Sequence, residues 1–338
     1  MRPDPDRSPR RSRRTTAARA ALAVLAGFLV SNPAPAQESE RYEGPIIDMH
    51  LHAYTEASYW GAGPDGPVRH GGDSRPAPPS AEEHRRETLE AMDRHGVVLG
   101  VVSGEGLSAA EAWSEAAPDR FLTGVVVYDP VDDLDVETFA GWLREGRLDV
   151  FAEIGAQYGG HSPSDPAFTP YWSLAEEHGV PVGIHTGESF PGTPYSGSYP
   201  DFRVRLGDPL LLEEMLVAHP DLEVFVMHAG GWFWERTLQL MQMYPQVHAG
   251  IGVLGHAPDH VRTETLARFL RRAKDFGYLD RVMFGSDQMV WPGAIGVSIE
   301  AVQSLDFLSR EEKRAIFYGN AARFLGLDEE EIARHHGG

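Results

Sequence analysis

The sequence predicts an α/β fold, a (β/α)8 TIM barrel. Three observations carry that expectation. Eight short apolar segments alternate with amphipathic stretches of helical period. The connections entering those segments are short, whereas two of those leaving them are long. No Gly-x-Gly-x-x-Gly turn follows any segment, which argues against the doubly wound sheet, the alternative architecture. Strands that alternate with helices run parallel with right-handed crossovers, and eight such units in about 300 residues suit a barrel.

In chain order, the first expected strand is Ile46–His52, followed by a helix over 81–94 that opens on a Ser80-x-x-Glu83 capping box. Strands are then expected at Val97–Ser103, Phe121–Tyr128 and Val150–Ala156, with helices over 108–117, 135–145 and 168–178. The second half repeats the pattern. Strands are expected at Val180–Thr186, Val224–His228, Gln246–Val253 and Val282–Asp287, with helices over 208–218, 233–243, 261–276 and 298–306. A final helix is expected over 310–325.

The entering turns are tight: His95-Gly96, Pro118-Asp119-Arg120, His178-Gly179, His219-Pro220-Asp221 and Tyr244-Pro245. The loops leaving strands one and five are long. Residues 53–79 hold five Gly and five Pro, and 187–207 read GESFPGTPYSGSYPDFRVRLG. Long loops after the strands cover the C-terminal face, where barrel enzymes do their chemistry.

The first residues have a different character. Residues 1–19 carry seven Arg against Asp4 and Asp6, Ala20 to Val30 is an unbroken small and apolar run, and Ala34-Pro35-Ala36 offers a small-x-small cleavage site. This is the layout of a secretory signal peptide over 1–36, too short in its apolar part for a membrane span. Arg13-Arg14 ahead of the run allows the twin-arginine route beside general secretion, and an uncleaved anchor is the alternative. The expected organisation is a signal peptide over 1–36, a linker over 37–44, a barrel over 45–327 and a tail over 328–338. The expected location is periplasmic or secreted.

Cleavage would remove seven positive and two negative charges, taking the net charge from −20 to −25. A surface that acidic argues against nucleic acid or an anionic membrane as partner and leaves a small molecule as the expected one. There is no Cys, which suits an oxidising compartment and excludes thiolate chemistry, Cys-ligated zinc and disulfides.

The candidate chemistry sits at strand ends. In "PIIDMHLHA" the alternation of a strand puts Asp48, His50 and His52 on one face and Ile47, Met49 and Leu51 on the other. Strand four carries Glu153 in "FAEIGA", strand five ends in His185, strand six in His228 and strand eight in Asp287. Strands two, three and seven end in Ser103, Tyr128 and Val253, which suggest no chemistry. Neutral imidazoles and carboxylates gathered on one rim are what Zn²⁺ and related divalent ions take in open catalytic sites. His95, His178 and His219 lie at helix-to-strand turns on the opposite face, where a helix C-terminus favours the imidazolium, and they are assigned no chemistry.

The motifs "IIDMHLH", "AEIGA", "PVGIHTGES", "VFVMHAGG", "VMFGSDQ" and "IFYGNAARFLGL" together resemble the amidohydrolase superfamily, and within it the amidohydrolase-related metal-dependent hydrolases, over about residues 45–327. The resemblance implies a barrel with His50, His52, His185 and Asp287 around a divalent metal, most often zinc, and His228 as a nearby acid or base. It also implies that dimers are common, although no interface is legible. Glu153 is ambiguous. It is either supporting structure beside one ion, the favoured reading, or a bridge to a second ion held by His185 and His228.

A metal-activated water attacking an ester, lactone or amide would use Asp287 as proton acceptor and His228 to polarise the carbonyl or protonate the leaving group. The alternatives are a nonoxidative decarboxylase of a small carboxylic acid, which the resemblance also covers, and an inactive ligand-binding barrel. An Arg aimed at the cluster from the loop after strand five or six would favour the decarboxylase. Candidate substrate contacts are Trp232, Trp234, Arg203 and Trp291, with Phe233, Arg205, Pro292, Tyr54, Tyr59 and Trp60 behind them. His161, His256 and His260 are secondary, and His335 and His336 are expected in a disordered tail.

Overall fold

The computed structural model describes residues 41–61, 69–70, 73–74, 77–257 and 262–337. The expected signal peptide, residues 37–40 of the linker, and His260 lie outside these. Among the described residues no helix is long and apolar enough to cross a membrane.

Eight parallel strands appear where the apolar segments stand: β1 Ile46–Ala53, β2 Val97–Glu105, β3 Phe121–Val126, β4 Phe151–Ile154, β5 Val182–Ile184, β6 Val224–Val226, β7 Val247–Gly250 and β8 Val282–Met283. They pair in chain order, β1-β2-β3 in one sheet and β4 through β8 in another. Backbone bonds bridge both seams. Val127 N donates to Glu153 O at 3.1 Å and Gly155 N to Val127 O at 2.9 Å, while Met49 N donates to Phe284 O at 3.0 Å and Asp287 N to His50 O at 2.8 Å. The strands thus run round as the expected barrel. A two-residue ladder, Arg69–His70 with Asp73–Ser74, lies in the long loop after β1.

The helices between strands are α1 Ala81–His95, α2 Leu107–Ala116, α3 Val136–Glu145, α4 Thr169–His178, α5 Glu213–Ala218, α6 Trp234–Met243, α7 Ala267–Phe276 and α8 Ala294–Gln303. Ser80 caps α1 by accepting from Glu83 N at 3.1 Å. Only this half of the capping box forms, because the Glu83 carboxylate pairs with Arg86. The eighth helix begins at Ala294, four residues earlier than the pattern suggests, because Ala294, Ile295, Gly296 and Val297 include no polar residue and Gly293 offers no side-chain cap to mark its start. After it come α9 Arg310–Arg314, a π turn over Ala315–Gly319 and α10 Asn320–Phe324.

Two expectations about the ends need correction. The tail is not disordered: Glu329–His335 forms α11, opened by an Asp328/Glu331 capping box, and His335 Nδ1 lies 3.0 Å from Tyr318 Oη. Nor is 41–44 a free linker. Tyr42 is buried, stacks on Phe317, and exchanges two hydrogen bonds with the Gln303 side chain.

The core divides as the barrel requires. An inner cluster of Ile47, Met49, Leu99, Val101, Ala152, Phe225, Met227 and Met283 is continuous with Phe324 of α10. A larger cluster, including Leu51, Ala53 and Val102, packs the strands against the helices. Gly183 and Gly250 admit the Phe225 ring, since a Cβ at Gly183 would fall 2.5 Å from it.

The parity of β1 differs from simple alternation. Ile47 and Met49 belong to the inner cluster and Leu51 to the outer one, with a register irregularity between Asp48 and Leu51. A bulge changes which face successive side chains take. It lets His50 and His52 face the site above Met49, while the Asp48 carboxylate binds backbone instead.

Candidate metal centre

Six side chains from five strand ends converge. His50 Nε2 lies 3.1 Å from His52 Nε2, 3.2 Å from Glu153 Oε2 and 3.5 Å from Asp287 Oδ1. His52 Nε2 lies 2.9 Å from Asp287 Oδ1 and 3.5 Å from Glu153 Oε2. These four residues form the tightest set. With bonds of about 2.1 Å, ligand atoms stand about 3.0 Å apart along an octahedral edge and about 3.4 Å along a tetrahedral one. The observed spacings match those edges, so the set could hold a divalent ion.

His185 and His228 approach from the other side of the same carboxylate. Glu153 Oε1 lies 3.8 Å from His185 Nε2 and 3.5 Å from His228 Nε2. The resemblance groups His185 with His50, His52 and Asp287; here Glu153 stands next to that trio and His185 stands beyond it. Among the described residues three donor groupings emerge: His50 with His228 and Asp287, His50 with His52 and Glu153, and Glu153 with His185 and His228. His228 Nε2 and His185 Nδ1 are buried without a hydrogen bond. A buried imidazole nitrogen left unpaired is costly, and a polar group entering the site beside either would relieve it.

Irregular backbone aims these groups. β5, β6 and β8 end before His185, His228 and Asp287. His228 and Asp287 take left-handed backbone, φ 59° and 53°, and Val253 does the same at 61°. A β-branched residue there is strained, and such strain gathers at functional sites. Around His50, Gly252 and Gly285 leave room: added Cβ atoms would fall 2.7 Å from His50 Nδ1 and 3.0 Å from its Cβ.

An outer layer of bonds fixes the first. Asp48 Oδ1 accepts from His50 N at 3.0 Å and Ser286 N at 2.8 Å, tying β1 to the end of β8. Gln288 accepts from His52 N at 2.9 Å and donates to His52 O at 3.1 Å. His256 Nε2 bonds the Asp287 carbonyl at 3.0 Å, and His228 Nδ1 bonds the Gly252 carbonyl at 3.2 Å. The end of strand seven, without chemistry on sequence grounds, therefore orients a candidate site residue through its backbone.

Charge follows the geometry. Burial opposes ionisation of Glu153, but the His50 charge and the approach of His228 outweigh it and hold that carboxyl well below its usual range. Asp287 is likewise lowered, by His50 and His52 against burial. Burial would depress His228, yet Glu153 and Asp287 push it up to about 9. His185 is pushed down to about 3, by burial first and then by His228. The two carboxylates and the His228 imidazole thus favour each other's charged forms, while His185 is held toward its neutral form.

The other candidates fall less centrally. Arg203 donates from one guanidinium nitrogen to the Pro200 and Phe202 carbonyls at 3.0 and 2.7 Å, Arg205 is exposed, and Arg236 pairs with Asp208. Trp232 is 70% exposed, Trp234 packs against the outer core, and Trp291 is buried in a small cluster with Val290 and Tyr54. His161 bonds Asp129 and Asp165. Two tyrosines touch the cluster histidines. Tyr54 stacks on His52 with centroids 6.3 Å apart, and Tyr158 Oη lies 3.2 Å from His185 Nε2. Tyr54 is two residues past His52, a signal already in the sequence; Tyr158, in the loop after β4, had none.

A parallel (β/α)8 frame with a buried His and carboxylate cluster at the C-terminal strand ends defines a barrel protein whose cluster could hold a metal ion. The family model described as Amidohydrolase matches residues 47–327, and the chain belongs to that family. The chain matches no curated protein. Among solved structures it is similar to an uncharacterised TIM-barrel protein from Bordetella bronchiseptica (20% identity, TM-score 0.59, covering 83% of this chain and 98% of that one). It is also similar to a probable 2-pyrone-4,6-dicarboxylic acid hydrolase from Acinetobacter baumannii with citric acid bound (15%, TM-score 0.58, 83% and 99%). A third is 5-carboxyvanillate decarboxylase from Novosphingobium aromaticivorans complexed with manganese and a nitrobenzoic acid (17%, TM-score 0.54, 84% and 96%). At these identities the likeness concerns the fold, and the relatives include both a probable hydrolase and a decarboxylase.

Proposed function

We propose that this protein is a metal-dependent hydrolase of an ester, lactone or amide of a small molecule. The observation that carries the reading is the convergence of His50, His52, Glu153 and Asp287 donor atoms at 2.9–3.5 Å with His228 beside them. His50, His52, Glu153 and Asp287 would hold one divalent ion, which we take to be zinc, and it would supply a Lewis acid and lower the pKa of a bound water.

The residues do the rest. Water adds to the carbonyl carbon while Asp287 takes its proton. The bond to the leaving oxygen or nitrogen then breaks, and His228 gives a proton to the departing atom. His228 is oriented for this because its Nδ1 is engaged by Gly252 and its Nε2 faces the cluster. The products are an acid and an alcohol or amine, and the proton gained by Asp287 balances the one lost by His228.

The placement of the arginines after β5 and β6 supports hydrolysis over decarboxylation. Arg203 donates to two backbone carbonyls, Arg205 is exposed and Arg236, in α6, pairs with Asp208, so none of the three is engaged with the cluster. Export, read from residues 1–36, favours the same choice and is tested by whether the mature chain begins at Gln37.

The experiment is metal content per chain of the protein purified without added metal or chelator, combined with turnover of ester, lactone and amide panels and of aromatic carboxylic acids. One ion with hydrolysis supports the proposal. Two ions would make Glu153 a bridge, with His185 and His228 on the second. CO₂ release without hydrolysis would establish the decarboxylase, and no ion with no activity on reloading would establish the idle barrel.

A further inference from the structure

Tyr158 is held by an arrangement more elaborate than packing needs. Its ring sits against those of Tyr128, Tyr199 and Phe202, with centroids 5.2, 4.9 and 5.1 Å away, and edge-on to His185 at 5.0 Å. These rings come from the loops after β3, β4 and β5, so three segments fix one phenol. Gly155 makes room for two of them: a Cβ there would fall 2.7 Å from Tyr128 and 3.0 Å from Tyr158. The hydroxyl donates to Ser189 Oγ at 3.0 Å and lies 3.2 Å from His185 Nε2, and Ser189 in turn accepts from Thr193 at 3.1 Å.

The hydroxyl has one hydrogen, which Ser189 Oγ accepts. His185 Nε2, on the other side of that oxygen, also faces Glu153 Oε1 at 3.8 Å, so the phenol stands at the edge of the cluster. An anionic oxygen there is a stronger acceptor than the neutral Ser189 hydroxyl and draws the hydrogen to itself. A phenol whose ring is already fixed beside the place where charge develops suits an oxyanion, because only its hydrogen has to turn during the reaction.

We propose that Tyr158 is a catalytic hydrogen-bond donor to the carbonyl oxygen of the substrate, strengthening as that oxygen becomes an oxyanion. The inference rests on the hydrolytic reading above. It also narrows the substrate: the carbonyl enters along the wall of Tyr128, Tyr158, Tyr199 and Phe202, which suits an uncharged, planar or aromatic acyl group. No proton is transferred from Tyr158, so its role is electrostatic.

The test compares wild type with Tyr158→Phe, which keeps the ring and removes only the hydroxyl. Three readings are taken: metal content, kcat and KM on phenyl acetate and dihydrocoumarin, and calorimetric affinity for phenylphosphonate, a tetrahedral oxyanion mimic. The expected result is unchanged metal content, kcat lowered about 100-fold with KM within a few-fold, and phenylphosphonate affinity lowered about 10-fold. Unchanged kcat and phosphonate affinity in the variant would overturn the proposal. Loss of metal in the variant would also overturn it, by making Tyr158 a prop for His185. If the wild type turns over neither substrate, the hydrolytic reading has failed instead, and the phosphonate affinity still reports whether Tyr158 donates to an oxyanion.

Discussion

Gly252 stands so close to His50 that a methyl group on it would fall 2.7 Å from the imidazole Nδ1. The Gly252 carbonyl also receives His228 Nδ1 at 3.2 Å. One backbone position therefore sets the ring planes of two candidate site histidines from opposite sides.

Gly252→Ala is predicted to displace His50 and lower both metal retention and activity. Overpacking of this kind typically costs about 1–3 kcal/mol, so the protein should still fold. Elemental analysis beside a thermal melt separates the two effects. Full metal content and full activity in a folded variant would show that His50 does not need this fit.

His228→Asn tests the proton carrier without disturbing the backbone. Asn tolerates left-handed φ better than most residues, and residue 228 has φ 59°. The expected result is kcat lowered by about 10²–10⁴, the usual range for a positioned acid or base, with one ion retained. Loss of an ion would instead make His228 a ligand.

Glu153→Gln keeps the size of the side chain and removes its charge. Glu153 faces His50 at 3.2 Å and His228 at 3.5 Å through different oxygens. The variant is predicted to bind its ion more weakly in competition with a chelator. Removing Glu153 from beside His228 should also release that imidazole from its raised pKa. An imidazole titration by NMR that found His228 unmoved would contradict the assigned cause.

The pH dependence of stability has a separate source in His161. Burial acts to lower its pKa, but bonds from Asp165 and Asp129 at 3.3 Å prevail and raise it. A raised folded pKa means stabilisation present below the unfolded value of about 6.5 and lost as pH rises through the folded one. The melting temperature of wild type relative to His161→Gln should therefore be higher at pH 5.5 than at pH 8.5. The effect should be small, because partly exposed pairs contribute little. An equal difference at both pH values would remove His161 from the account.

The eight strands and the convergence of His50, His52, Glu153, His185, His228 and Asp287 were legible in the chain itself. Apolar period and turn position fix where strands begin, and a parallel barrel brings every strand's C-terminal end to one face whatever its side chains. Tertiary structure decided the grouping of those residues. A bulge in β1 sets which face His50 takes, left-handed backbone past β6 and β8 aims His228 and Asp287, and Glu153 comes to stand nearer His50 than His185 does. Tyr158 and Gly252 join the site for the same reason. Their roles depend on distances between segments far apart in the chain, which close packing sets and no local pattern encodes.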